Sequence, residues 1–78
     1  MASNILANMR NYEEAEIFIK KTIELNPNFA PAHYTLGTIS FKLDRLNDSE
    51  ISTRKAIEFN PNFESAYLQL GNILKMAV

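Results

Sequence analysis

Residues 26–37 read NPNFAPAHYTLG, and residues 60–71 read NPNFESAYLQLG. The two stretches are in register along their whole length, so that Pro27 and Pro61, like Gly37 and Gly71, are 34 residues apart. A constant separation in this range is typical of repeat proteins, in which each unit packs on the next. The sequence therefore predicts a chain built from repeated units.

The two prolines divide the chain into helical segments, because proline lacks an amide hydrogen and disfavours helical geometry in the residue before it. Between them, apolar residues recur at helical spacing, as in the predicted buried stripe Ala15, Phe18, Ile19, Thr22 and Ile23. We expect helices over residues 12–25 and 29–43, from just after residue 47 to residue 59, and from 63 onward, after a short helical remnant over residues 1–9.

Asparagines precede three of these helices and are predicted to cap them. Asn11, Asn28 and Asn47 each stand where a side-chain oxygen can accept a hydrogen bond from an unpaired amide. Asn11 and Asn47 are also followed three residues later by glutamate, the pattern of a capping box. Turns are therefore expected at residues 10–11 and 44–46, so that consecutive helices form antiparallel pairs.

Gly37 and Gly71 fall inside predicted helices, where each costs about 1 kcal/mol relative to alanine. We expect that a neighbouring helix approaches each glycine closely, because a side chain there would hold the two backbones apart.

Composition excludes several classes of function. The 78 residues carry a net charge of −1 and contain no cysteine, which argues against nucleic-acid binding, a disulfide framework and thiolate metal sites. No apolar run reaches the ~20 residues that span a bilayer, and no signal segment is recognisable, so we expect a cytoplasmic protein. The one histidine, His33, is expected to pack rather than to catalyse. We expect no enzyme activity, no cofactor and no metal.

The period of 34, the pairs Leu36-Gly37 and Leu70-Gly71 and the helix-ending prolines resemble the tetratricopeptide repeat. This resemblance implies an all-α solenoid of antiparallel helix pairs, with about two and a fraction repeats and four to five helices. It implies a partial first repeat over residues 1–29, a complete repeat over 30–63 and the first helix of a further repeat over 64–78. Arg10 and Asp44 stand where the family usually has the glycine of the inter-helix turn, and aspartate tolerates left-handed geometry better than arginine.

Such repeats hold other proteins, usually as an extended peptide, in a concave groove. The resemblance places ten residues in that groove: Tyr34, Thr35, Thr38, Phe41, Lys42, Ser65, Leu68, Gln69, Asn72 and Lys75. Gln69 and Asn72 are the expected amide groups for a peptide backbone, and Tyr34 and Phe41 the expected apolar anchors. The alternative is that all ten are ordinary solvent-facing residues.

Two further surfaces are candidates. Leu70, Ile73 and Leu74 are expected to be uncovered on the last helix, because repeat arrays need capped ends and no further helix is predicted to cover them. We expect these three residues to mediate self-association of the chain into a homo-oligomer. Ile17 and Ile51, one period apart, are expected to pack against the following repeat, with a convex contact patch as the alternative. The chain is thus predicted to bind a protein or peptide partner, or else to serve as a spacer or oligomerisation element of a larger repeat-containing enzyme or assembly.

Overall fold

The computed structural model describes residues 2–77, with side chains from Arg10 to Ala77, and over this range the chain forms four α-helices. They are α1 (Ala2–Leu25), α2 (Ala30–Lys42), α3 (Leu46–Phe59) and α4 (Glu64–Ala77). The all-α prediction is confirmed, and four of the expected four to five helices are present in this range. None of these helices combines the length and apolar composition that crossing a membrane requires.

The first helix differs from the sequence-based expectation. Residues 10 and 11 lie inside the continuous helix α1, so the predicted turn there and the predicted cap at Asn11 are wrong. The segment contains neither proline nor glycine, and every residue in it can adopt helical geometry at small cost. Residues 2–9 of the predicted remnant are therefore the N-terminal part of α1, and residue 1 lies outside the described residues.

The turn between α2 and α3 is built around Asp44, which has a left-handed φ of 62°. The Arg45 amide donates to the Ser40 carbonyl over 2.8 Å, and the Asp44 amide donates to the Phe41 carbonyl over 3.1 Å. These two bonds form the Schellman motif that terminates many helices. Aspartate adopts this geometry more readily than arginine, and Arg10, one period earlier, remains helical.

The Schellman motif at the end of α2 also determines where α3 begins, because α3 starts directly after Arg45, whose amide closes the motif. The N-cap of α3 is Arg45, and Asn47 lies within the first turn of the helix, so the cap predicted at Asn47 is wrong. Likewise α2 begins after Phe29 rather than after Asn28, because the Phe29 amide closes a turn by donating to the Asn26 carbonyl over 3.2 Å. Neither cap residue uses its side chain to bond an amide.

The core lies between α2 and α3 and extends to α1 on one side and α4 on the other. It is built mainly from small side chains, and its buried apolar residues are Ala30, Ala32, Ile39, Ala56, Ala66 and Ile73. Small residues allow close helix packing, and at Gly37 the approach is closest. A β-carbon there would be 2.5 Å from Thr53 Oγ1 and 3.2 Å from the Ser49 carbonyl oxygen. The expected close approach is confirmed for Gly37.

Gly71 is different. A β-carbon built on Gly71 would have no neighbour within 4 Å among the described residues. The close approach predicted there is therefore not made within this chain, because no helix in residues 2–77 covers that side of α4.

One polar contact recurs in both repeats. His33 Nε2 donates to the Pro27 carbonyl over 2.6 Å, and the Tyr67 hydroxyl donates to the Pro61 carbonyl over 2.9 Å. His33 is buried with its ring centroid 5.3 Å from that of Phe59, in agreement with the packing role predicted for it. These bonds attach each first helix to the proline turn that precedes it.

Candidate functional site

A cavity of about 290 Å³ lies between α2 and α4. Four residues of α2 and four of α4 line it: Tyr34, Thr38, Phe41, Lys42, Ser65, Leu68, Gln69 and Asn72. The positions in α2 follow the spacing i, i+4, i+7 and i+8, and those in α4 follow i, i+3, i+4 and i+7, which places each set on one helix face. We call this cavity the α2–α4 groove.

Eight of the ten residues predicted for the groove therefore lie around one cavity. The other two, Thr35 and Lys75, are exposed and lie outside the lining. Thr35 uses its hydroxyl within its own helix, where it donates to the Pro31 carbonyl over 2.8 Å.

The apolar part of the groove consists of two aromatic rings of α2 and one leucine of α4. Tyr34 and Phe41 are half-buried, and Leu68 is exposed. The Tyr34 ring is held by Phe63, whose ring centroid lies 5.0 Å away at an interplanar angle of 37°. The turn before α4 therefore fixes one of the predicted anchors in place.

The two amide side chains of the groove have different roles. Gln69 Nε2 donates to the Tyr34 carbonyl over 3.2 Å and to Thr53 Oγ1 over 2.9 Å, and its Oε1 accepts from the Thr38 hydroxyl. These contacts connect α4 to α2 and α3. Both N–H donors of the Gln69 amide and one acceptor site of its oxygen are therefore occupied within the fold, which leaves only the second acceptor site for a peptide backbone.

Asn72, one turn further along α4, is exposed. Within the described part of the chain its amide forms no side-chain hydrogen bond, so both its donor and its acceptor face the groove and solvent. Lys42 is the one charged side chain of the lining, which contains no carboxylate among the described residues. The groove thus offers an amide, a cation and apolar surface to a ligand.

A smaller cavity of about 200 Å³ lies on another side of the molecule, where α1, α2 and α3 meet. It is lined by Glu16, Lys20, Leu36, Ser40, Asp48, Ile51 and Ser52. Ile17 and Ile51 are both mostly exposed, so the expectation that they pack against the following repeat is wrong. Ile51 lines this cavity from α3 and keeps more than half of its surface exposed.

The residues predicted to mediate self-association are divided by the structure. Leu74 is exposed and Leu70 is half-buried, but Ile73 is completely buried. Ile73 lies seven residues after Ala66, which is also completely buried, and both belong to the side of α4 that packs against the rest of the fold. The prediction that Ile73 lies on an uncovered face is wrong.

Sequence comparison agrees with this architecture. The family model described as tetratricopeptide repeat matches residues 1–29 and again residues 30–63, which together are most of the chain. No curated protein matches the chain.

Proposed function

Because the chain belongs to the tetratricopeptide repeat family, whose repeats are generally protein-protein interaction modules, we propose that it binds an extended peptide of a partner protein in the α2–α4 groove. The observation that supports this proposal is the convergence of eight groove positions on one cavity between α2 and α4. In repeat units we assign residues 1–29 to a partial repeat, 30–63 to a complete repeat and 64–78 to the first helix of a further repeat.

The chemistry of the lining suggests how a peptide would be held. Phe41 and Leu68 offer apolar surface to a side chain of the ligand, and the Asn72 amide can donate to one peptide group and accept from another. Lys42, without a nearby carboxylate in the lining, favours a ligand with an acidic side chain at that end. The proposed role involves no chemistry on the bound chain, as is typical of the family.

The groove proposal can be tested by selecting peptides from a phage-displayed random library and titrating the best one against variants. Lys42→Ala and Asn72→Ala should each weaken binding by about fivefold or more, the effect of about 1 kcal/mol. Lys75→Ala is the matched control, because it removes the same charge from α4 outside the cavity and should leave the affinity within about twofold. If Lys42→Ala and Asn72→Ala bound the peptide as tightly as Lys75→Ala does, groove binding would be contradicted.

A second candidate function is assembly, either of this chain with itself or as an element of a larger repeat-containing protein. The exposure of Phe18 on α1 and of Leu74 on α4 favours it, because large apolar side chains grouped at an edge mark interaction surfaces. The assembly surface and the groove meet at Leu68, which lines the groove and is also exposed at the α4 end.

A further inference from the structure

Apolar side chains are exposed at both ends of the helical array. At the α1 end these are Phe18 (75% exposed), Leu25 (78%) and Phe29 (45%), and at the α4 end they are Tyr67 (50%), Leu68 (72%) and Leu74 (41%). Six of the ten large apolar side chains exposed in the described chain therefore belong to its two end surfaces.

The interior of the molecule shows how a first helix of a repeat is covered. Helix α3 and the turn after it cover α2 by three contacts: Phe59 packs on His33 at 5.3 Å, Phe63 packs on Tyr34 at 5.0 Å, and Thr53 and Ser49 lie against Gly37. Since α4 repeats α2 at an offset of 34, the equivalents of the three covered residues are Tyr67, Leu68 and Gly71.

The covering residues have equivalents too, and they lie at the other end of the same chain. One period before Phe59, Phe63 and Thr53 stand Leu25, Phe29 and Ile19, on α1 and the turn that follows it. We propose that a second copy of this chain stacks head to tail on the first, with its α1 covering α4 as α3 covers α2. Leu25 of the second copy then packs on Tyr67, and Phe29 of the second copy packs on Leu68.

The space at Gly71 fits this arrangement. The backbone of α3 reaches Gly37 because no side chain intervenes, and Gly71 has nothing within 4 Å. Ala15 and Ile19 of the second copy correspond to Ser49 and Thr53, so the open surface of Gly71 receives a helix face made of small and apolar residues.

Two other positions are consistent with the same register. Ser40 and Ser52 line one cavity inside the molecule, and one period away from them stand Leu74 and Phe18, both exposed. Stacking brings these two apolar side chains together. The bond from Thr38 to Gln69 likewise corresponds to a contact between Asn72 and Thr35 of the second copy.

This inference rests on the self-association named under the proposed function and specifies its geometry. The two surfaces that meet are different, so the interface is heterologous, and each added copy exposes a new α4 end. The chain should therefore form an open ladder of species rather than a closed dimer, and the α2–α4 groove continues from one copy to the next.

The test is light scattering of the 78-residue chain over a hundredfold range of concentration, with two variants that block opposite ends. Gly71→Glu fills the space on α4, and Phe18→Asp places a charge on the free face of α1. Both positions are open in the single chain, so circular dichroism should show unchanged helix content. Each variant alone should need at least about tenfold more protein to associate than the natural chain. Lys21→Asp is the matched control, because Lys21 is also exposed on α1 but corresponds to Lys55, which is exposed and lies outside the cavity that Ser40 and Ser52 line.

Mixing the two blocked variants decides the geometry. Each retains one intact end, so head-to-tail stacking predicts that an equimolar mixture forms one-to-one dimers and nothing larger. Self-association that survives either block, or a mixture that stays monomeric, overturns the head-to-tail register while leaving association itself established. A natural chain of monomer mass at every concentration overturns both, and leaves peptide binding in the groove unaffected.

Discussion

The two glycines at equivalent positions of the repeat should respond oppositely to the same substitution. Alanine in a helix interior is favoured over glycine by about 1 kcal/mol, and this gain applies at both sites. At Gly71 nothing opposes it, since an added β-carbon meets no atom within 4 Å among the described residues. We expect Gly71→Ala to stabilise the isolated chain by about 1 kcal/mol.

At Gly37 the gain is outweighed. The new β-carbon would lie 2.5 Å from Thr53 Oγ1 and 2.8 Å from Gln69 Nε2. Gln69 can move aside, but Thr53 is β-branched and buried, with few alternative rotamers in a helix. Overpacking costs about 1–3 kcal/mol, and loss of the hydrogen bond between Gln69 and Thr53 costs about 1 kcal/mol more. Subtracting the helix gain leaves Gly37→Ala less stable by about 1–3 kcal/mol.

Thermal unfolding followed by far-UV circular dichroism measures both changes. A difference of 1 kcal/mol corresponds to roughly 4–8 °C in Tm for a domain of this size. The protein should be as dilute as the signal permits, because stacking would add to the apparent stability of the natural chain. Removing the obstruction provides the control: in a Thr53→Ala background, Gly37→Ala should cost clearly less. A Gly37→Ala variant at least as stable as the natural chain would refute the argument that close packing requires glycine there.

Two other substitutions test the packing and the surface charges. Ile73→Ala should lower the free energy of unfolding, measured by urea denaturation, by about 2–4 kcal/mol, because Ile73 is completely buried. Leu74→Ala should change it by less than about 1 kcal/mol, because Leu74 is exposed. Equal effects of the two substitutions would contradict the orientation of α4. Arg45→Ala removes the 2.8 Å ion pair with Glu16 and should lower the free energy of unfolding by less than about 1 kcal/mol. This decrease should be smaller at high salt, because the arginine side chain is exposed and its charge is screened. A larger decrease that does not depend on salt would show that Arg45 stabilises the turn by other means.

The repeat made most of the fold predictable from sequence. Helices α1 and α3 end just before Pro27 and Pro61, as the prolines predict. The helical spacing of apolar residues such as Ala32, Ile39 and Ala56 identifies the buried faces without knowledge of tertiary structure. The turn at Asp44 was also predictable from sequence, because the left-handed conformation of Asp44 depends on local residue preference rather than on neighbouring helices.

Features that depend on neighbouring helices were not predictable in this way. Phe18 belongs to the apolar stripe predicted to be buried, yet it is 75% exposed, because within the described chain α1 packs on one side only. The asparagine caps also failed. Asn11 and Asn47 match a capping pattern in sequence, but uninterrupted helix at one site and the Schellman turn at the other place the boundaries elsewhere.

Gln69 shows why the groove itself was predicted better than the roles of its residues. The family resemblance places Gln69 on the groove face, and Gln69 lines the cavity although Thr35, its equivalent in α2, does not. Its side chain is longer than that of threonine and reaches α2 and α3, where Tyr34, Thr38 and Thr53 occupy its amide. A residue in this position holds the two walls of the groove at a fixed separation before any ligand arrives. A groove that is already formed requires less ordering on binding, so the hydrogen bonds that Gln69 makes within the fold support the proposed peptide binding although both of its N–H donors are already used.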